Sequence, residues 1–359
     1  MLRTFISALL ILFVTACSEQ EATTSFSRML GTSDDQFESV EKGGLIVFPG
    51  DHQAHTGFRQ EWWYLTANLV DEQGNEYGVQ WTQFRVALDP TSSPSSTGWQ
   101  GQQIYMAHSA LTTDMIHLAD EKWSREHPKM AGVTRQPLRV FLDDWQWNST
   151  TDDLFPAKLN VASERFSYEL ALDSDSPYQK QGDRGYSEKS ADGKVASYYY
   201  SQPFIKVSGT ISLDGEVVSV SGSGWIDREW SSQFLLDSQQ GWDWLAIRLS
   251  DEVSLVLFQL RDAKSGQANY AYGRLMSIDG TGVTIEQDQI NLKATKQEKV
   301  EGRLYPTQWT LNIPAQNIEV TLSALNPKAK MPLSIPYWEG PIIIQGSHSG
   351  RGYMELTGY

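Results

Sequence analysis

The chain has 359 residues, a length that suits about two domains. Hydrophobic residues make up 40% with moderate Gly and Pro, which excludes a disordered chain. A formal net charge of −15 argues against a nucleic-acid partner, because phosphate recognition needs a basic footprint. Thirteen Trp and fifteen Tyr are many for this length, and large amphipathic rings suit strands and cavity walls.

At the N-terminus Arg3 precedes an apolar run from Phe5 to Val14, too short to span a bilayer as a mature helix and the length of a signal h-region. It ends in Val14-Thr15-Ala16-Cys17, which resembles a bacterial lipobox in which Cys17 is lipidated; the alternative is a plain signal peptide with a chance Cys. Cys17 is the only cysteine, so no internal disulfide forms. The expected organisation is a lipoprotein signal peptide over 1–16 and a polar, lipidated tether over 17–44. The mature protein is then anchored in the bacterial envelope facing the periplasm, with Ser18 compatible with the outer membrane.

Leu45 to His55 follows, with a turn at Pro49-Gly50. His52 and His55 beside Asp51 could ligate a metal. No well-spaced third His or Cys accompanies them, so the segment reads better as a hydrogen-bonded loop closing one end of a barrel, and no metal is assigned. Glu61 to Leu69 is a strand with Trp62, Tyr64 and Thr66 on one side and Trp63, Leu65, Ala67 and Leu69 on the other. A turn at Gln73-Gly74-Asn75 returns it as Tyr77 to Leu88, carrying Arg85. The hairpin recurs 180 positions on: Trp62 matches Trp242, Tyr64 matches Trp244, Leu65 matches Leu245, and Gln259-Leu260-Arg261 echoes Gln83-Phe84-Arg85. This predicts an internal duplication of a β module.

Asp89 to Gln103 reads as a long loop or flap, Ile104 to Thr112 as a strand, and Glu121 to Gly132 as a helical or irregular surface segment. Short strands then follow one another, with Asp214-Gly215 and Asp279-Gly280 as hairpin turns. Short strands at turn-spaced intervals predict an all-β chain of antiparallel barrels or sandwiches packed together, over 45–236 and 237–359.

The stretch Gly222 to Trp230 stands out. Alternation puts Trp225, Asp227 and Glu229 on one face and Ile226, Arg228 and Trp230 on the other. A carboxylate beside Trp, opposite an apolar face, reads as the wall of a cavity. Asp227 is the first candidate for chemistry. The bland alternative is a buried ion-pair cluster of Asp227, Arg228 and Glu229 joining two domains, with Glu61 paired to Arg85 or Arg228. No Gly-x-Ser-x-Gly elbow supports a serine hydrolase.

The motifs Phe48 to His52, Glu61 to Tyr64, Phe84-Arg85, Gly224 to Trp230, Tyr337 to Gly340 and Gly352 to Tyr359 resemble the carotenoid 1,2-hydratase family. They are closer to its secreted AttH-like branch, the so-called predicted secreted hydrolases. The resemblance covers Leu45 to Tyr359 and implies two lipocalin-like β domains side by side. It also implies that Asp227 takes the role of the hydratase aspartate that protonates a C=C bond. Where those enzymes tend to have His after that Asp, this chain has Arg228, which bears on hydration itself and leaves the cavity reading intact.

Such chemistry needs an acid of raised pKa, supplied by burial beside Trp225, and electron-rich faces for the cation at about 0.5–2 kcal/mol each. Trp62, Trp63, Tyr64, Trp225, Trp230 and Trp242 are candidate faces, with His52 or Glu61 guiding water and Arg85, Arg228 and Glu229 as further lining. The first reading is an anchored protein binding an extended apolar ligand, lipid or isoprenoid in character; the AttH-like resemblance implies service to an envelope ABC transporter. The second is a hydratase, lyase or isomerase using Asp227. The third is a structural assembly module. No cofactor is expected.

Overall fold

The computed structural model describes residues 36–90 and 101–359. The signal peptide, Cys17, the tether up to 35 and the centre of the Asp89–Gln103 loop lie outside the described residues. Nearly everything described is β, arranged in two antiparallel sheets of thirteen and ten strands. Both curl, one of them nearly into a barrel.

In the first sheet the Gln60–Asp71 strand lies between its hairpin partner Glu76–Ala87 and the late strand Glu216–Ser231. In the second, Gln239–Arg248 lies between Val253–Asp262 and the C-terminal strand Gly350–Leu356. The Asp-Gly turns fold as their chemistry dictates: Asp214 and Gly215 both take positive φ, 49° and 92°, and close Leu213 against Glu216. One segment differs from its sequence reading. His117–Arg125 is a strand, an edge strand paired to Gln103–Thr112, so Glu121 to Arg125 is extended and not helical. Its polar composition reflects exposure at that edge.

Alternation sorts the side chains of the central strands, and beside the small cluster around Phe84, Phe234 and Tyr337 it builds three larger ones. Trp63, Leu65, Trp81, Trp145, Trp147, Ile226 and Trp230 fill the inside of the first sheet. Leu245, Ile247, Leu257, Trp309, Trp338 and Met354 fill the second. The opposite faces of the same central strands, with Tyr64, Tyr199, Trp225, Trp244, Phe258 and Tyr353, meet in a third cluster between the sheets. Gly78 permits this approach: a Cβ there would lie 2.6 Å from Pro341 Cγ across the seam. The Arg351 guanidinium reaches Glu76 at 2.7 Å and Asn326 Nδ2 donates to Thr113 O at 3.1 Å, tying the two sheets further.

Candidate active site

The hollow of interest lies on the seam between the sheets, since each interior is packed with its own side chains. It is a narrow cleft with a cavity volume of about 70 Å³, opening to about 700 Å³ only when all the solvent-filled space of its mouth is counted. Trp62, Phe84, Phe234, Trp242, Trp244 and Phe258 supply most of its apolar wall. Trp62 and Trp242 are half-buried, and Trp62 leans on Phe234 with ring centroids 4.3 Å apart.

Asp227 stands in this wall with 2% of its surface exposed. Its Oδ1 accepts from Trp225 Nε1 at 2.7 Å and Ser201 Oγ at 2.5 Å, and its Oδ2 accepts from Tyr199 OH at 2.6 Å. All three donors are neutral, and among the described residues no cation pairs with it. Burial therefore dominates and pushes the Asp227 carboxyl up to about 7, against the three hydrogen bonds and with help from the nearby Glu229. A carboxylic acid that holds its proton near neutrality in an aromatic cleft is equipped for proton donation.

The second sheet brings further carboxyls to the same place. Glu355 Oε1 accepts from Trp242 Nε1 at 2.8 Å, and burial followed by the charges of Asp227 and Glu229 raises Glu355 to about 8. Behind it Glu339 accepts from Tyr64 OH and is held well above the carboxylate range, first by burial and then by Glu355. Tyr337, at the cleft edge, meets His108 Nδ1 at 3.0 Å, and burial lowers His108 to about 4, so that imidazole is neutral. Among the described residues the one cation in the wall is Lys189. Its ammonium pairs with Glu229 at 2.7 Å and sits 4.2 Å from the Phe258 ring centroid and 4.8 Å from that of Tyr199.

Of the residues singled out in the sequence, the cleft brings together Trp62, Tyr64, Asp227, Glu229 and Trp242. Trp225 lies beside them as the donor to Asp227. The others go elsewhere, because one step along a strand reverses the face. Glu61, Arg85 and Arg228 form a buried ionic lattice on the inner face of the first sheet: Arg85 pairs with Glu61 Oε1, and Arg228 Nη2 reaches Glu61 Oε2 at 3.0 Å. His55 Nδ1 closes on Glu61 Oε2 at 3.0 Å, and Arg228 lies 3.8 Å above the Trp63 ring. Trp230 stacks on His55 at 3.8 Å. His52 lies apart, bonded through Nδ1 to Tyr200 OH at 2.6 Å with Nε2 3.2 Å from Asp153. Glu61 and His52 are thus not placed to guide water onto a ligand beside Asp227. Among the described residues no group of three His, Cys, Asp or Glu is disposed to hold a metal.

Sequence reasoning left out Glu355, Glu339, Tyr199, Lys189 and Phe258. The repeat held the signal for the first: Asp227 is the cross-strand neighbour of Tyr64, and Glu355 is that of Trp244, the residue matched to Tyr64. Extending the duplication from the hairpins to their closing strands aligns Trp225-Ile226-Asp227 with Tyr353-Met354-Glu355.

No curated protein matches the chain. Among solved structures it resembles a protein of Nitrosomonas europaea assigned to AttH, at 32% identity and a TM-score of 0.81, covering 90% of this chain and 99% of that one. It shares its fold with kievitone hydratase from Nectria haematococca, at 12% identity and a TM-score of 0.66, covering 91% of this chain and 98% of that one. A model of the AttH-like family matches residues 39–359, and the chain belongs to that family.

Proposed function

We propose that this protein is an acid catalyst of the hydratase, lyase or isomerase type, acting on an apolar unsaturated molecule bound between its two repeats. The observation that carries this reading is Asp227: buried, without a cationic partner, raised to about 7 and set in an aromatic cleft. Its O–H proton passes to one alkene carbon, the π pair forms the new C–H bond, and the adjacent carbon becomes cationic. The ring faces of Trp62, Trp242 and Trp244 lower the energy of that cation. Capture by a water lone pair, with the surplus proton taken by a carboxylate of the cleft, gives hydration; loss of a neighbouring proton gives isomerisation. Fold alone does not choose between these outcomes.

The sequence Val14 to Cys17 supports a lipid anchor, which would hold the cleft close to a membrane and to apolar substrates partitioned there. A carrier for an envelope export system is the second reading, favoured by the apolar lining and open mouth of the cleft.

The test has two steps. Small molecules that co-purify with the full chain are identified by mass spectrometry, and that compound is then incubated with protein in deuterated water. The expected result is deuterium at one former alkene carbon, lost in Asp227→Asn while binding persists. Turnover unchanged in Asp227→Asn removes Asp227 from the mechanism. Binding without any deuterium incorporation in the wild type leaves a carrier.

A further inference from the structure

The cleft carries more than an acid and apolar walls. Asp227, Glu229 and Glu355 line it and Glu339 lies behind Tyr64, yet among the described residues Lys189 is the only cation there. Lys189 satisfies Glu229, leaving Asp227, Glu339 and Glu355 without a positive partner among the described residues. Independently of these acids, Lys189 shows what the aromatic wall accepts. Lys189 is 7% exposed and its ammonium rests over the rings of Phe258 and Tyr199, a place an ammonium keeps only where ring quadrupoles and a carboxylate replace its water.

We propose that the cleft is a binding site for a positive charge on an apolar frame, so that hydrophobic quaternary ammonium and amine compounds are its ligands, seated among Trp62, Trp242 and Trp244 with Asp227 and Glu355 as counter-ions. The inference rests on the reading of the cleft as a cation-forming site: a permanent cation would occupy the place where a transient one develops. It goes further in naming a ligand class that needs no reaction.

Proton linkage follows from the geometry. An incoming cation stabilises the charged forms of Asp227 and Glu355, so binding a quaternary ammonium expels protons and tightens as pH rises. The groups facing the pair are Glu229 and Lys189, Tyr64, Tyr199, Glu339 with Tyr337, and Tyr353. The tyrosines are all raised by burial and stay neutral over this range, so the carboxyls set the pH response.

The experiment titrates the full chain with benzyltrimethylammonium and, separately, with its uncharged isostere neopentylbenzene. It follows tryptophan fluorescence and calorimetric heat in two buffers of different ionisation enthalpy. The expected result is at least tenfold tighter binding of the cation at pH 8.5 than of the isostere, with proton release and a roughly tenfold gain in affinity between pH 6 and pH 8.5. Asp227→Asn and Glu355→Gln, checked for native circular dichroism, each reduce that gain; Trp242→Leu weakens both compounds and guards against a carboxyl variant that fails to fold. Equal affinity for the two compounds overturns the charge inference and leaves an apolar site intact. Cation binding that ignores both carboxyl substitutions also overturns it, since the compound then sits on the acidic surface. Binding of neither compound sinks this inference and counts against the apolar-ligand reading as well.

Discussion

Asp227 and Glu355 occupy the same place in the two repeats, one strand over from Tyr64 and Trp244, and both turn toward the cleft between the sheets. A duplication packed face to face thus puts two like-charged groups into one low-dielectric space, and each opposes ionisation of the other. Replacing Asp227 by Asn removes one of the charges that raise Glu355, so the Glu355 carboxyl is expected to titrate below its present value of about 8. Carboxyl carbon NMR on protein labelled at Glu reads this directly. A Glu355 midpoint that does not move would mean the two groups do not share a field.

The same acid shapes stability against pH. The folded pKa of Asp227 is raised to about 7 from an ordinary 3.8, so between those values the native state holds a proton that the unfolded chain releases. Native stability from this group is therefore present at acid pH and lost as pH rises toward 7. His108 and His117 act in the opposite sense: burial lowers both to about 4, so their contribution is lost as pH falls below 6.5. Comparing Asp227→Asn with wild type cancels the histidines. The variant is expected to gain on wild type by roughly 2–4 kcal/mol between pH 4 and pH 7.5 and to hold that gain above it. Urea denaturation across that range checks the sign and the plateau.

How far a sequence exposes such a site depends on what one strand records. Period-two alternation separated Trp62 and Tyr64 from Trp63 and Leu65, and these residues do face the seam and the interior respectively. It also put Asp227 and Arg228 on opposite faces, and they are so placed. Glu61, Arg85 and Arg228, read first as lining a ligand, lie on the inner face, and Glu61 pairs with both arginines, the alternative the sequence also offered. Glu339, Lys189 and Tyr199 come from other strands and a loop: pairing of Ala196–Leu213 with Glu216–Ser231 sets Tyr199 opposite Glu229, and docking of the second sheet brings in Glu339, which no local pattern encodes.

The lattice around Glu61 makes a prediction of its own. Glu61 is buried between Arg85, Arg228 and His55; the Arg85 charge first, then the His55 hydrogen bond and the Arg228 charge, pull it far below the carboxylate range despite the cost of burial. Glu61→Gln leaves two guanidinium groups buried without their counter-ion, a loss of about 3–5 kcal/mol by comparison with other broken buried pairs. Ligand affinity in the cleft should change little, because the lattice occupies the inner face of the sheet. Chemical denaturation together with ligand titration separates the two effects; a large loss of affinity at full stability would bring Glu61 back to the site.

Seam width can be tested without touching a lining residue. Gly78 has ordinary backbone angles, so only space forbids a side chain there, and the obstacle is the rigid Pro341 ring at 2.6–3.0 Å. Gly78→Ala must push the two sheets apart at that point, at a cost of about 1–3 kcal/mol. The expected signs are a lower midpoint of thermal unfolding and a wider cleft, seen as increased quenching of Trp62 and Trp242 by acrylamide. Unchanged quenching would mean that the sheets adjust elsewhere.

The three neutral donors on Asp227 set how strong an acid it is. Tyr199 OH, Ser201 Oγ and Trp225 Nε1 all favour the charged carboxylate, and burial outweighs them. Removing one donor tips the balance further toward the protonated acid. Tyr199→Phe and Ser201→Ala are each expected to raise the Asp227 pKa above about 7. The alkaline limit of any reaction that uses the acid form would then move to higher pH. The two variants differ in a second respect: Tyr199 also accepts from Trp244 Nε1 at 3.3 Å and lies under the Lys189 ammonium, whereas Ser201 touches neither. Tyr199→Phe should therefore also alter ligand affinity, and Ser201→Ala should shift the pH profile alone. Carboxyl NMR of Asp227 and the pH dependence of deuterium incorporation read the two quantities separately. A fall in the Asp227 pKa in either variant would show that these donors hold the proton and not the charge.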